Sequence, residues 1–425
     1  MSSRSNPSCA TVLATAHLCG FQTVAPLSGR IVFPSDPKRT PREEDALLAW
    51  AWRQFLTAPA ATRDPQWLPR LPMVKGAMQC MKAAEQYAAK TKIVSGVDGW
   101  FVGGASKRGW TTWMVGAVDC PTCVNILGIF PLVPIVPRLR ESVHLQRQSL
   151  GGFTFAFRDY FDAGILPLID SDAFGELLDV VDPASPRYAA RLKRLPKLAV
   201  VSSDDEFMQL DWTAIKPGWD QLPGEMHLLI APNSEHTLAT GIPDVISSVT
   251  HLFASIQAKE TAAARPSFTW SKDAASGALT VTIDAASPRP AKVLLRHAQT
   301  KSERRDFRWV RLAANDTKAC SVLDGEIPLK DPVEGGGNCV VPMLWHSETL
   351  KPTARADDPH APLTYTAEPP QPTKSGHFVG YYIELFFPSQ HLRFSTMKVT
   401  TPGHVWPDRL PFPDCNLTKC PFKLL

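Results

Sequence analysis

The chain has 425 residues, with 45 Lys or Arg against 41 Asp or Glu and a formal charge of +4. That near balance, with 20% charged and 44% hydrophobic residues, excludes an electrostatic specialist such as a nucleic-acid binder and describes a protein with a core of its own. No apolar run is long enough to span a membrane as a helix, and the length implies two or more domains.

The stretch Cys9 to Phe21 is only mildly apolar and is broken by His17, so no signal peptide is legible, and a complete chain would be cytoplasmic. From residue 1 to about 258, short apolar strands alternate with helical stretches, the pattern of a mostly parallel α/β sheet. Asp45 to Phe55 reads as an amphipathic helix behind an acidic first turn. Trp100 to Gly103 reads as a short strand running into a helix, Lys197 to Val201 and His227 to Ile230 as buried strands, and Pro243 to Gln257 as a helix. A polar linker, Ala258 to Arg265, separates this part from residues 266–395, where the period changes to alternation. Phe268–Trp270, Ala278–Ile283, Lys292–Arg296, Phe307–Leu312 and Gly380–Phe387 read there as strands of a small β-sandwich. The Pro-rich stretch 341–375 reads as an inserted loop, and 396–425 as an irregular tail rich in Cys and Pro.

Nine cysteines are too few for a disulfide framework. Cys120-Pro-Thr-Cys123 has the spacing of a redox or half-metal motif, but no companion ligand pair accompanies it, and two cysteines at a helix-to-strand junction is the preferred reading. Cys320 with Cys339 and Cys415 with Cys420 are spaced for local disulfides, and Asn315-Asp-Thr and Asn416-Leu-Thr are glycosylation sequons. Those features favour an extracellular setting.

The informative segment is Phe101-Val-Gly-Gly-Ala-Ser-Lys-Arg-Gly-Trp110, which puts Ser106 at a sharp strand-to-helix turn, the geometry of a nucleophile elbow. The pattern G-x-S-x-G wants glycine where Arg108 stands, and Gly109 follows one place later. A serine that merely caps the helix is the competing reading. A nucleophilic serine needs a histidine base and a carboxylate to orient it. Both follow in α/β-hydrolase order: Asp205, in Ser-Ser-Asp-Asp-Glu-Phe207 after one strand, and His236, in Asn-Ser-Glu-His-Thr237 after the next. Asp204 is the runner-up acid, with Glu206 and Asp211 also in range; His17, His227 and His251 read as core or helix-face residues. The Lys107 backbone N–H is the expected oxyanion donor. The side chains of Lys107 and Arg108 either pair with Asp159, Asp204 or Glu206 or capture an anionic group of the substrate.

The chain resembles the PhoPQ-activated pathogenicity-related proteins, grouped with the autocrine proliferation repressors. The resemblance rests on Glu44-Asp45, Trp67-Leu-Pro-Arg-Leu-Pro-Met-Val-Lys75, Gly103-Gly-Ala-Ser-Lys-Arg-Gly-Trp-Thr-Thr-Trp113, Gly151-Gly-Phe-Thr-Phe-Ala-Phe-Arg-Asp-Tyr160, Asp205-Glu-Phe207, Pro232-Asn-Ser-Glu-His236 and Arg305-Asp-Phe-Arg308. It implies an α/β-hydrolase-like domain over residues 1–258, followed by an immunoglobulin-like β domain, in secreted proteins, and it favours Asp205 over Asp204. It also implies that relatives carry a signal peptide, early strands and a second oxyanion loop before the segment matching Ala10 to Phe33, so the sheet is expected to lack its first strands. The expected activity is that of a serine hydrolase acting through Ser106, His236 and Asp205 on a peptide, amide or ester, with no metal or organic cofactor. The alternative is a secreted signalling or binding protein that keeps the scaffold and meets a cell-surface partner.

Overall fold

The computed structural model describes residues 31–414 and 422–425, apart from 93, 95, 119, 121, 122, 216–218, 220, 221, 313–319, 321–326, 329–337, 354–360, 393 and 394. Cys9, Cys19, Cys415, Cys420, His17 and both sequons lie outside the described residues.

α1 (Glu44–Thr57) opens on two acids and buries Leu48, Trp52 and Phe55, an i, i+4, i+7 face. α2 (Arg70–Thr91) buries Val74, Met78 and Met81 on one side and ends at Lys92 in the left-handed region. β1 (Trp100–Ala105) leads directly into α3 (Lys107–Ala117), nearly all of which is buried. β2 (Ile126–Leu132) is followed by α4 (Leu139–Leu150), α5 (Arg158–Asp162), α6 (Asp172–Val181) and α7 (Ala189–Leu192). β3 (Lys197–Ser202), β4 (Met226–Ala231) and α8 (Ile242–Gln257) complete this part.

β1 to β4 form a four-stranded parallel sheet in sequence order. Every residue of β3 is buried, as expected of a parallel strand covered on both faces. Even Lys197 fits, because its Nζ donates to the carbonyls of Leu192, Leu195 and Pro223 at 2.7, 2.8 and 2.8 Å. The carboxyl ends of β1, β3 and β4 open on one edge of the sheet, where parallel α/β sheets build their sites.

The second part is antiparallel. β5 (Thr269–Lys272), β6 (Leu279–Ile283) and β12 (Leu363–Ala367) form a three-stranded sheet in the order β12-β6-β5. β7 (Lys292–Gln299), β11 (His346–Thr349), β13 (Val379–Pro388), β14 (Thr396–Thr400) and β15 (His404–Trp406) form a five-stranded sheet around β13. β8 (Val310–Leu312), β9 (Ile327–Pro328) and β10 (Asn338–Val340) make a small third sheet.

Two expectations change here. The stretch 341–375 is not merely a loop, since β11 pairs with β7, β12 pairs with β6, and Trp345 is buried. Nor is 396–425 wholly irregular: Met397 and Val399 alternate inward on β14, and β15 pairs with the start of β13. These strands are short and bounded by Pro and Gly, so their alternation is weak in the sequence. The parts join along the free edge of β4, where Thr400 Oγ1 accepts the Ile230 N–H at 3.2 Å. On α8, Ser247 and Ser248 accept the N–H groups of Thr396 and Lys398 at 2.9 and 3.0 Å. Those contacts give an otherwise open strand edge side-chain partners.

Cys320 and Cys339 form a disulfide, as their spacing suggests. Cys120 and Cys123 are also bonded to each other, so they are more than two cysteines at a junction, and the half-metal reading is set aside. Among the described residues no helix is long and apolar enough to cross a membrane, and no group of three or more His, Cys, Asp or Glu is placed to hold a metal ion.

Candidate active site

Ser106 sits between β1 and α3 with φ 53° and ψ −121°, a strained conformation for a residue with a side chain. Its hydroxyl makes no helix-capping hydrogen bond, which removes the capping reading. The turn is held by the Ser106 N–H donating to the Leu132 carbonyl at 2.9 Å and by Trp110 N–H donating to the Ser106 carbonyl at 3.0 Å. Both nearby glycines are there for clearance. A Cβ on Gly104 would lie 2.8 Å from the Arg108 carbonyl oxygen, and one on Gly109 would lie 2.3 Å from the Leu132 oxygen. The closest approach of helix to sheet thus falls three residues after the serine, which explains why Gly109 rather than residue 108 completes the turn.

The next strands deliver the other two groups. β3 and β4 are neighbours, with Ser202 opposite Ala231, so the loops that follow them lie side by side. Ser203 N–H donates to the Ala231 carbonyl and Asp204 N–H to the Ser234 carbonyl, both at 3.0 Å. Asp205 and His236, 31 residues apart, then meet: His236 Nδ1 lies 2.9 and 3.0 Å from the Asp205 carboxylate oxygens. His236 Nε2 is 2.9 Å from Ser106 Oγ. The carboxylate is buried and accepts two further donors, Ser202 Oγ at 2.8 Å and Phe207 N–H at 2.7 Å. Phe207 packs on the imidazole, with ring centroids 4.4 Å apart. Burial on its own lowers the His236 pKa, but the charge and hydrogen bond of Asp205 outweigh it and raise the group above 6.5. An imidazole anchored at Nδ1 and facing a hydroxyl at Nε2 can take up and return a proton.

The other candidate acids are engaged elsewhere. Asp204 is fully buried, its Oδ1 accepting Trp345 Nε1 at 2.5 Å, and burial drives its pKa well above the usual carboxylate range. Glu206 accepts the His236 backbone N–H at 3.1 Å; burial, then the Asp205 charge, push it up to about 8. Asp211 pairs with Arg305. His227 is bonded to Glu225 at 2.8 Å, and burial lowers His251 to about 4.

Lys107 and Arg108 depart from expectation. Lys107 Nζ pairs with Asp45 at 2.8 Å and Glu44 at 3.3 Å, and Arg108 lies 3.7 Å from Glu44. The acids are those of the α1 first turn, not Asp159, Asp204 or Glu206. As the first residue of α3, Lys107 has no intrahelical acceptor for its backbone N–H. The cavity beside Ser106 is lined mainly by apolar side chains of α1, α3, α4, α6 and the loops around them, with Asp45, Arg70, Lys107 and Tyr160 as a polar corner.

The profile of the PhoPQ-activated pathogenicity-related protein family matches residues 28–308, two-thirds of the chain. The chain belongs to that family. It is also 31% identical over 394 residues to autocrine proliferation repressor protein A of Dictyostelium discoideum, covering 91% of this chain and 70% of that protein. Among solved structures it is similar to an α/β hydrolase from a lagoon-sediment metagenome, at 10% identity and TM-score 0.23 over 44% of this chain and 71% of that one. It is likewise similar to the proline iminopeptidase of Mycobacterium smegmatis, at 13% identity and TM-score 0.23 over 48% and 76%.

Two of the segments on which the resemblance rests brace the fold. In Arg305-Asp-Phe-Arg308, Arg308 forks onto Asp306 at 2.7 and 2.8 Å and reaches the Leu425 carbonyl at 3.0 Å, while Phe307 is buried. Asn233 Oδ1 accepts the Trp345 N–H at 2.7 Å. Trp345 therefore braces both the acid loop and the histidine loop from the β region. Nothing in the local pattern of Pro-Met-Leu-Trp345-His marks that role; a lone Trp in a Pro-rich stretch is the one signal the sequence offers.

Proposed function

We propose that the protein is a serine hydrolase of α/β-hydrolase type, acting on an ester, amide or peptide. The observation that carries this reading is the unbroken line Asp205–His236–Ser106 behind a strained serine turn. His236 Nε2 takes the proton from Ser106 Oγ as Oγ bonds to the acyl carbon, and Asp205 stabilises the imidazolium. The negative charge on the carbonyl oxygen is met by the Lys107 backbone N–H at the positive end of α3. The same proton then passes to the leaving group, and water repeats the sequence to free the acid. The antiparallel region is read as an immunoglobulin-like domain, supported by its two larger sheets. The Cys120–Cys123 and Cys320–Cys339 disulfides favour an oxidising, extracellular setting.

A second reading, secreted signalling through the scaffold surface, is favoured by the name of the Dictyostelium relative. Labelling with a fluorophosphonate probe separates the two. Labelling of the wild type that disappears in Ser106→Ala supports the hydrolase. A wild-type protein with a native circular dichroism spectrum and no labelling refutes it.

A further inference from the structure

The polar corner of the Ser106 cavity has no task in that chemistry. Arg70 is 2% exposed and lines the same cavity as Ser106 and His236. Its Nη1 donates to the Lys107 carbonyl at 2.5 Å and to Thr111 Oγ1 at 3.2 Å, and its guanidinium lies 4.5 Å from the Trp110 ring centroid. Nε and Nη2, the two nitrogens of the opposite edge, have no hydrogen-bond partner. Among the described residues no carboxylate forms a salt bridge with Arg70. Asp45, in the same corner, is held by Lys107 Nζ at 2.8 Å and by Tyr160 OH at 3.0 Å.

An unpaired buried cation is costly, and burial lowers this one only to about 10, which leaves it charged at neutral pH. Of the two cations in this wall, Lys107 is balanced by Asp45 and Glu44, whereas among the described residues Arg70 has no carboxylate partner. The vacant Nε/Nη2 edge is the side of a guanidinium that grips a carboxylate with two parallel hydrogen bonds. Position fixes where such an anion would sit. The Lys107 carbonyl points along α3 away from its first N–H, so the span of that residue and a hydrogen bond at each end, ~8 Å in all, separate Arg70 Nη1 from the place a reacting carbonyl oxygen would occupy. Trp52, Val133, Ile135, Leu139 and Phe174 supply apolar wall to the same cavity.

We infer that this cavity recognises an acyl group with an apolar body and a remote carboxylate, which Arg70 grips through Nε and Nη2 while the acyl carbon meets Ser106. The inference rests on the hydrolase reading, and its test is arranged so that either can fail alone. The substrates are the 4-nitrophenyl half-ester of adipic acid and 4-nitrophenyl hexanoate, alike in length and differing in the terminal charge. For the wild type, kcat/KM is expected to favour the half-ester by about tenfold or more, the worth of hydrogen bonds to a charged group. In Arg70→Met the ratio falls to about one or below, and in Arg70→Lys, which keeps the charge and loses the fork, it lies between. A wild-type ratio at or below one, with turnover that depends on Ser106, overturns the inference and leaves the hydrolase intact. If no turnover depends on Ser106, the hydrolase reading fails and the subsite is judged by calorimetry with monomethyl adipate and methyl hexanoate. Preferential binding of the charged ester, lost in Arg70→Met, supports the subsite; equal or absent binding of the two overturns it.

Discussion

Gly109→Ala tests the displaced glycine of the serine turn. The new Cβ would stand 2.3 Å from the Leu132 carbonyl oxygen and 3.0 Å from that of Gly104, about 1 Å inside ordinary contact at the tighter point. Both obstacles are backbone, so neither can rotate away, and the Leu132 oxygen already accepts the Ser106 N–H. Relief requires α3 to lift from β2, taking Ser106 with it. Overpacking of this kind costs about 1–3 kcal/mol, offset by the ~1 kcal/mol advantage of Ala over Gly within a helix, so a net loss of about 1 kcal/mol is expected. The effect on rate is larger, because misplacing a reacting group by about 1 Å costs ~10²-fold. Urea midpoints give the first quantity and the rate of fluorophosphonate labelling the second. Gly116→Ala is the control on the same helix, since its Cβ would meet the Ile129 side chain, which can move. A Gly109→Ala protein that is more stable than wild type and labels at the same rate would refute the reasoning about the turn.

Asp205→Asn should leave the fold intact and reduce kcat by about 10⁴-fold, because an amide facing His236 Nδ1 favours the wrong tautomer. The acid limb of kcat/KM should lie above pH 6.5, since His236 must be neutral to act and Asp205 raises it, and a limb below 6.5 would contradict that assignment. Glu206 titrates near 4.5 when unfolded and at about 8 when folded, so its contribution to stability is full below 4.5 and is lost as pH rises through 8. Urea midpoints of Glu206→Gln should therefore fall less than wild type between pH 5 and 8, and an identical slope would count against the buried proton. Trp345→Phe removes the donor to Asp204 and should cost about 1–3 kcal/mol in urea unfolding, with no loss pointing to a bond of no consequence.

The sequence carried the serine turn and the order of its partners because those features are local. A Gly-Gly-x-Ser turn between a strand and a helix is written in ten residues, and apolar runs such as Lys-Leu-Ala-Val-Val201 have few other meanings. β2 is not legible because Ile-Leu-Gly-Ile-Phe-Pro-Leu132 contains both Gly and Pro, and only pairing with β1 and β3 makes it a strand. The long α2 is not legible because Pro72 and Gly76 interrupt its pattern, and its amphipathic face is weak until α3 packs on it. The partners of Lys107 are hidden in the sequence for a related reason. Glu44 and Asp45 lie some sixty residues upstream, and no spacing rule predicts which end of α1 faces the turn. Trp345 is the extreme case, a contact across 141 residues made by a side chain in a stretch that reads as loop.

The run Asp204-Asp205-Glu206 shows how environment rather than identity assigns chemistry. Asp204 is turned into the protein toward Trp345, where burial disfavours its charge. Glu206 reaches the backbone of His236 and holds a proton at neutral pH. Asp205, between them, collects Ser202 Oγ, Phe207 N–H and His236 Nδ1. A carboxylate with three donors has the solvation an ion requires, and Asp205 is the member of the run whose oxygen pair faces the imidazole and orients it. Burial that disfavours charge on the two flanking acids also lessens the repulsion that three adjacent carboxylates would impose. Because Trp345 comes from the β region and fixes the first member of the run, that region forms part of the wall that determines where the charge stands.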